Sequence, residues 1–184
     1  MARRVVEERR IAVPEEVEVK VEGSRVVVRG PKGVLERDFS YAKGVVIEYS
    51  EPTREVIVYK YFPNARETAL VGTIAAHIKN MIIGVTKGFR YKLKVIYVHF
   101  PISVTYRDGK IIISNFLGEK TPRVVEVPPG VSVKVSGQDI ILEGIDLEKV
   151  GMTAGMIERV ARPRGKDRRK FMDGIYIYAR EVAA

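Results

Sequence analysis

Twice along this chain, short apolar-alternating segments separated by glycine turns lead into a single capped helix pattern. In the first pass Val17, Val19 and Val21 alternate with Glu18 and Lys20, the period-two pattern of a half-buried strand. A Gly23-Ser24 turn leads to Val26-Val27-Val28, and Gly30-Pro31-Lys32-Gly33 breaks the chain as a tight turn. Further strands are expected over residues 45–49 and 55–59. Asn64 then offers an N-cap, and Glu67 three residues on completes a capping box. Leu70, Ile74, His77 and Met81 follow at helical spacing as one stripe. The second pass repeats the order. Arg107-Asp108-Gly109-Lys110 reads as a hairpin turn, because Asp-Gly tolerates positive φ. Ile111-Ile112-Ile113 and strands over 131–135 and 139–142 follow. Asp146 then caps a helix whose stripe is Val150, Ala154, Ile157 and Ala161.

Two repeat registers compete. An offset of 114 aligns Val13-Pro14 with Val127-Pro128 and Val19-Lys20-Val21 with Val133-Lys134-Val135, but leaves the helices unmatched. An offset near 85 places Gly23 on Gly109, Val26-Val27-Val28 on Ile111-Ile112-Ile113 and Gly33 on Gly118, and brings the helices together. The second is preferred, because a repeat must supply a complete unit of sheet plus helix. The expected fold class is α+β: two similar domains, residues 1–83 and 84–184, each a small, mainly antiparallel sheet packed against one helix.

Charge is distributed unevenly over this framework. Seven of the twelve residues at 159–170 are basic (Arg159, Arg162, Arg164, Lys166, Arg168, Arg169 and Lys170), against the single acid Asp167. The segment therefore holds six of the nine net positive charges of the chain. Crowded like charges weaken a compact state, and a dense anion such as an RNA backbone relieves that repulsion. With no cysteine there is no disulfide framework, thiol nucleophile or cysteine–zinc site. Arg3 and Arg4 precede no apolar run, so no signal peptide is expected. No stretch approaches 18 uninterrupted apolar residues, which argues against a membrane span. The expected location is the cytoplasm.

Three segments carry a family resemblance. They are Asn80-Met81-Ile82-Ile83-Gly84-Val85-Thr86-Lys87-Gly88-Phe89, then His99-Phe100-Pro101-Ile102 with Asn115-Phe116-Leu117-Gly118-Glu119-Lys120, and Lys166-Asp167-Arg168-Arg169-Lys170-Phe171-Met172-Asp173-Gly174-Ile175-Tyr176. Together they resemble the large-subunit ribosomal protein "L six" family in its archaeal and eukaryotic branch, where eukaryotic members are called "L nine". The resemblance spans roughly residues 11–180. It implies two domains from an internal duplication and binding to large-subunit ribosomal RNA, mainly through the C-terminal domain. It places such a protein on the cytoplasmic ribosome at the stalk base, near the RNA loop that elongation GTPases touch and beside neighbouring large-subunit proteins. One departure stands out: Arg159 and Pro163 occupy positions where the family has glutamine and an aliphatic residue. Pro163 is expected to end the second helix around Arg162.

The basic segment suits RNA. Proteins meet RNA duplexes through phosphates, 2′-hydroxyls and the shallow minor groove. The planar guanidinium donates two parallel hydrogen bonds to a phosphate, so Arg162, Arg164, Arg168 and Arg169 are each candidate phosphate ligands. Gly165 allows close backbone approach. Asp173-Gly174 is expected to turn the chain into a last strand with Ile175 and Ile177 inward and Tyr176 and Tyr178 on the other side. Lys87, Arg90, Lys92 and Lys94 form a second basic cluster, either a supplementary RNA contact or a solvated strand face. Phe171 is read as packing its domain rather than stacking on a base, and Gly151 and Gly155 as seating the helix on its sheet. His77 and His99, without cysteine, make no metal set. Gly165-Lys166 lacks the rest of a nucleotide-binding loop. Asp139, Glu143, Asp146 and Glu148 are scattered by strand alternation and a helix start. No catalytic residues, metal, cofactor, membrane or small-molecule substrate are expected.

Overall fold

The computed structural model describes residues 5–167 and 169–183; Arg3, Arg4 and Arg168 lie outside the described residues. The chain divides into two compact units between Lys87 and Gly88.

In the first unit six strands precede one helix: β1 (Val6–Ala12), β2 (Glu18–Glu22), β3 (Arg25–Gly30), β4 (Gly33–Asp38), β5 (Val46–Ser50), β6 (Glu55–Tyr61) and α1 (Ala65–Thr86). They form two antiparallel three-stranded sheets, ordered β1-β6-β5 and β2-β3-β4. The helix contacts both. Its start is as expected. The Asn64 side chain accepts from the Glu67 backbone N–H, and Glu67 accepts from the Asn64 N–H, each at 2.9 Å. The buried face of α1 is Val71, Ile74, Ala75, Ile78, Met81, Ile82, Gly84 and Val85, wider than the single stripe of the sequence reading. In length and composition α1 would suit a bilayer, but this face packs on Val26, Val28, Val56 and Val58 of its own unit.

The second unit follows the same plan: β7 (Phe89–Ile96), β8 (Ser103–Arg107), β9 (Lys110–Ser114), a 3-10 turn at Phe116–Gly118, β10 (Arg123–Glu126), β11 (Val131–Ser136), β12 (Asp139–Gly144), α2 (Leu147–Val160) and β13 (Gly174–Val182). Its sheets are ordered β10-β9-β8 and β11-β12-β7-β13, again antiparallel throughout. The strand orders correspond one to one with β4-β3-β2 and β5-β6-β1, which is the offset near 85. The 114 register would equate β2 with β11, strands of different sheets. Two departures separate the repeats. The second carries the 3-10 turn before β10, where Gly118 sits. It also adds β13 on the edge of β7, reached from α2 through the basic segment. The duplicated plan thus stops at the helix, and the basic segment exists because one more strand follows.

Each unit holds two small sheets, where the sequence suggested one. The sequence reading also divided the domains after Ile83. In the structure the helix continues to Thr86, since nothing at Gly84 interrupts its hydrogen bonding, and the Lys87 N–H still donates to the Ile83 carbonyl at 2.8 Å. At the hairpin, Asp108 and Gly109 both have positive φ (49° and 73°), as an Asp-Gly two-residue turn requires.

The turn after β3 is more than a change of direction. The Lys32 N–H donates to the Val85 carbonyl at 2.9 Å, and a Cβ on Gly30 would lie 2.6 Å from Val85 Cγ2 and 2.9 Å from its carbonyl oxygen. The end of α1 is clasped there at a distance only glycine permits. Gly30→Ala is expected to lower stability by about 2 kcal/mol, as overpacking against backbone does. The urea midpoint of unfolding measures it, and an unchanged midpoint would remove the clasp.

Candidate nucleic-acid interface

The basic segment leaves the last turn of α2 and is held at both roots by charged side chains that bond inward. At the first root α2 ends at Val160, with Ala161 as a non-helical C-cap and Pro163 buried. The carbonyls exposed there are taken by Arg123 on β10. Its Nη1 donates to the Val160 and Arg162 carbonyls at 2.5 and 3.0 Å. Its Nε and Nη2 form a fork to Glu119 at 2.8 and 2.6 Å. Its guanidinium carbon lies 4.0 Å from the Phe116 ring centre. The fork from Arg123, with a smaller contribution from the field of Arg164, holds the Glu119 carboxyl below the usual carboxylate range. Arginine alone among side chains can serve carboxylate, carbonyls and ring face together.

The second root is Asp173, fully buried. Its carboxylate accepts from the Val98 and His99 backbone N–H groups at 2.9 and 3.1 Å and meets His99 Nδ1 at 2.7 Å. Burial pushes this carboxyl up, but the hydrogen bonds from the His99 ring and the surrounding N–H groups outweigh it and bring it down to about 2. The His99 ring stacks on Phe171, centres 4.6 Å apart at 21°, and Lys166 Nζ stands 4.8 Å from the Phe171 ring centre. Phe171 therefore packs its own unit, as expected. Asp173-Gly174 is an anchor rather than a positive-φ turn, because Asp173 is engaged by the segment before β8.

Between the roots the backbone turns on itself. Gly165 has φ 64°. Asp167 accepts from the Arg169 N–H at its side chain (2.9 Å) and from the Lys170 and Phe171 N–H groups at its carbonyl (3.1 and 2.9 Å). The one acid of the segment thus serves its backbone. Arg159, Arg162, Arg164, Lys166, Arg169 and Lys170 are exposed, and among the described residues none forms an ion pair. Arg168 lies outside the described residues. Elsewhere the second unit carries ten basic and ten acidic side chains, so its whole net charge resides in this segment.

The second basic cluster has a different character. Arg90, Lys92 and Lys94 lie on one face of β7, each against a carboxylate of a flanking strand. Arg90 pairs with Glu143, Lys92 with Glu181 at 2.9 Å and Lys94 with Asp139 at 3.0 Å. Tyr178 also donates to Asp139, at 3.3 Å. Lys87 caps α1 and is exposed. Ile175 is buried as expected, and Ile177 is partly buried against the core. A bulge between Ile177 and Ala179 then breaks the simple alternation. Among the described residues no group of three His, Asp or Glu converges as a metal site.

Sequence reasoning assigned no role to Arg123, Glu119 or His99, and read Asp173 only as part of a turn. Glu119, His99 and Asp173 lie in segments that carry the family resemblance, whereas Arg123 lies outside them. No spacing rule links residues 119, 123 and 162, or 99 and 173; each pair meets only in the tertiary fold.

Comparison with known proteins accords with this duplicated plan. The family model described as Ribosomal protein L6 matches the chain twice, over residues 13–88 and 100–174. The large ribosomal subunit protein uL6 of Ignicoccus hospitalis is 59% identical, over 94% of each chain. That of Aeropyrum pernix is 56% identical over the full length of both, and that of Methanococcus vannielii 46% identical over 91% of this chain and 90% of its own. With two consecutive matches falling on the two structural repeats, and relatives aligned nearly end to end, the chain belongs to the ribosomal protein L6 family.

Proposed function

We propose that the protein is a non-catalytic structural component of the large ribosomal subunit that binds large-subunit ribosomal RNA, mainly through its second unit. The observation that carries this is the doubly anchored segment at 159–170. Six exposed cations, without ion pairs among the described residues, are presented from fixed roots in a unit otherwise neutral by sequence. A solvated charge run has no need of buried anchors, whereas a phosphate-binding surface gains affinity when its side chains are held in place before binding. Arg159, Arg162, Arg164, Lys166, Arg168, Arg169 and Lys170 are the assigned RNA ligands. Arg90, Lys92 and Lys94 are a weaker, supplementary set, because RNA must first displace Glu143, Glu181 and Asp139. Lys87, exposed and without an ion pair among the described residues, is the member of that set ready to meet a phosphate. On the family resemblance, the site of action is the cytoplasmic ribosome near the stalk base and the elongation-factor-contacting RNA loop, beside other large-subunit proteins.

Sedimentation of the native protein from cell extract at moderate and high salt tests this reading. Retention with the large subunit at both is expected. A protein running free, or only with precursor particles, would replace it by an RNA-binding assembly module of the same fold.

A further inference from the structure

A cavity of about 310 Å3 lies beside the start of the basic segment, lined by Gly155, Glu158, Arg159, Ala161, Arg162 and Tyr176. Its walls are specifically built. The Tyr176 hydroxyl donates to the Met172 carbonyl at 3.1 Å. A Cβ on Gly174 would come within 2.9 Å of that hydroxyl and 3.0 Å of the ring, so glycine there is what lets the ring take this position. Gly155 is the reverse case. A Cβ on it would meet nothing within 4 Å, and one on Gly151 would make only an ordinary 3.6 Å contact with Tyr91. These glycines therefore do not seat α2 on its sheet, as the sequence suggested. A glycine inside a helix is unfavourable relative to alanine, and no close contact within the unit requires Gly155. It keeps open a space that any side chain would narrow. Around that space Glu158 is half-buried, Arg159 and Arg162 are exposed, and none of the three forms an ion pair among the described residues.

We propose that this cavity receives one unstacked guanine nucleotide of the bound RNA. The inference rests on the RNA-binding reading above and adds a base-specific subsite to it. RNA sequence is read chiefly on unstacked bases, through aromatic stacking and hydrogen bonds to their edges. Tyr176 supplies a locked aromatic wall. Arg159 and Arg162 supply cations for the flanking phosphates. Glu158 supplies a carboxylate with two acceptor oxygens. Among the four bases only guanine offers two adjacent donors, N1–H and N2–H, on its Watson–Crick edge. Adenine N1 and cytosine N3 would set an acceptor against the carboxylate, and uracil has a single N–H between two carbonyls. The loop arginines then supply sequence-independent affinity, and this cavity supplies discrimination.

The test uses the full chain and deproteinised large-subunit ribosomal RNA, probed with kethoxal, which modifies N1 and N2 of unpaired guanines. Wild-type protein at saturation is expected to protect an unpaired guanine. Gly155→Leu, which fills the cavity, and Glu158→Gln, which breaks the carboxylate fork, should each restore its reactivity and weaken binding roughly tenfold. Gly155→Leu should melt no lower than wild type; if it does, Glu158→Gln carries the test. Arg164→Ala with Arg169→Ala should weaken binding yet retain protection at saturation. RNA binding without any guanine protection that depends on Glu158 would overturn the proposal and leave RNA binding intact. No binding by the wild type would bring down the RNA-binding reading, and the cavity assignment with it.

Discussion

Replacing Arg164, Arg168 and Arg169 together by alanine is expected to weaken binding to large-subunit ribosomal RNA by roughly a hundredfold near physiological salt. The salt dependence is the sharper readout. Each phosphate contact releases condensed counterions, so the slope of log affinity against log salt falls by about 0.7–0.9 for each contact removed. Three lost contacts should flatten it by between about two and three. The structure supplies an internal control in Lys92→Ala. Lys92 is paired with Glu181 at 2.9 Å, so in the free protein its charge is already compensated, and its removal should move the slope by less than any one loop arginine. Titrations at four or five salt concentrations measure both. A triple variant with the wild-type slope would place the loop outside the RNA interface.

The second large effect is on stability. Asp173→Ala is expected to cost the second unit about 3 kcal/mol, in the range for leaving buried hydrogen-bond donors without their acceptor. It would leave the Val98 and His99 N–H groups without their acceptor and unlink the end of the basic segment from the bend that precedes β8. Asp173→Asn keeps one acceptor oxygen and the shape, so about half that loss is expected. The aspartate also predicts a pH window. Its carboxyl is lowered in the folded protein from 3.8 to about 2, so between these values the unfolded chain binds the proton more readily. The contribution is fully present above pH 4 and is lost as pH falls through about 2, on the order of 2 kcal/mol in all. Urea unfolding at pH 7, 4 and 2.5 should show wild-type stability falling in the last step by more than that of Asp173→Asn. Equal falls would show that the aspartate is not the group responsible.

These two predictions draw on different kinds of information. The loop arginines were legible in the sequence, because charge density is a local property and needs no folding to be seen. Asp173 was not. As one acid before a glycine it reads as a turn residue, and its meaning comes from His99, 74 positions away along the chain. Arg123 is similar. By charge alone it joins the basic residues, yet only 15% of its side chain is exposed and its donors are spent on Glu119 and on the carbonyls of Val160 and Arg162. The reverse error arises on β7, where Arg90, Lys92 and Lys94 read as a basic cluster until strand pairing sets a carboxylate opposite each.

At the level of fold, what the sequence decided by itself are the features written in short-range physics. The Asn64 capping box, the Asp108-Gly109 turn, the alternating strands, the two helices and their repeat near 85 all follow from periodicity and backbone preference. β1 escaped because Glu7-Glu8-Arg9-Arg10 shows no alternation; its strand character comes from seven register pairs with β6. The presence of two sheets in each unit, the added β13, the two anchored roots and the cavity between Gly155 and Tyr176 were decided only by the tertiary structure. Each depends on groups far apart in sequence, and the free energy that joins them, from burial and from hydrogen bonds made away from water, exists only once the core has closed around them.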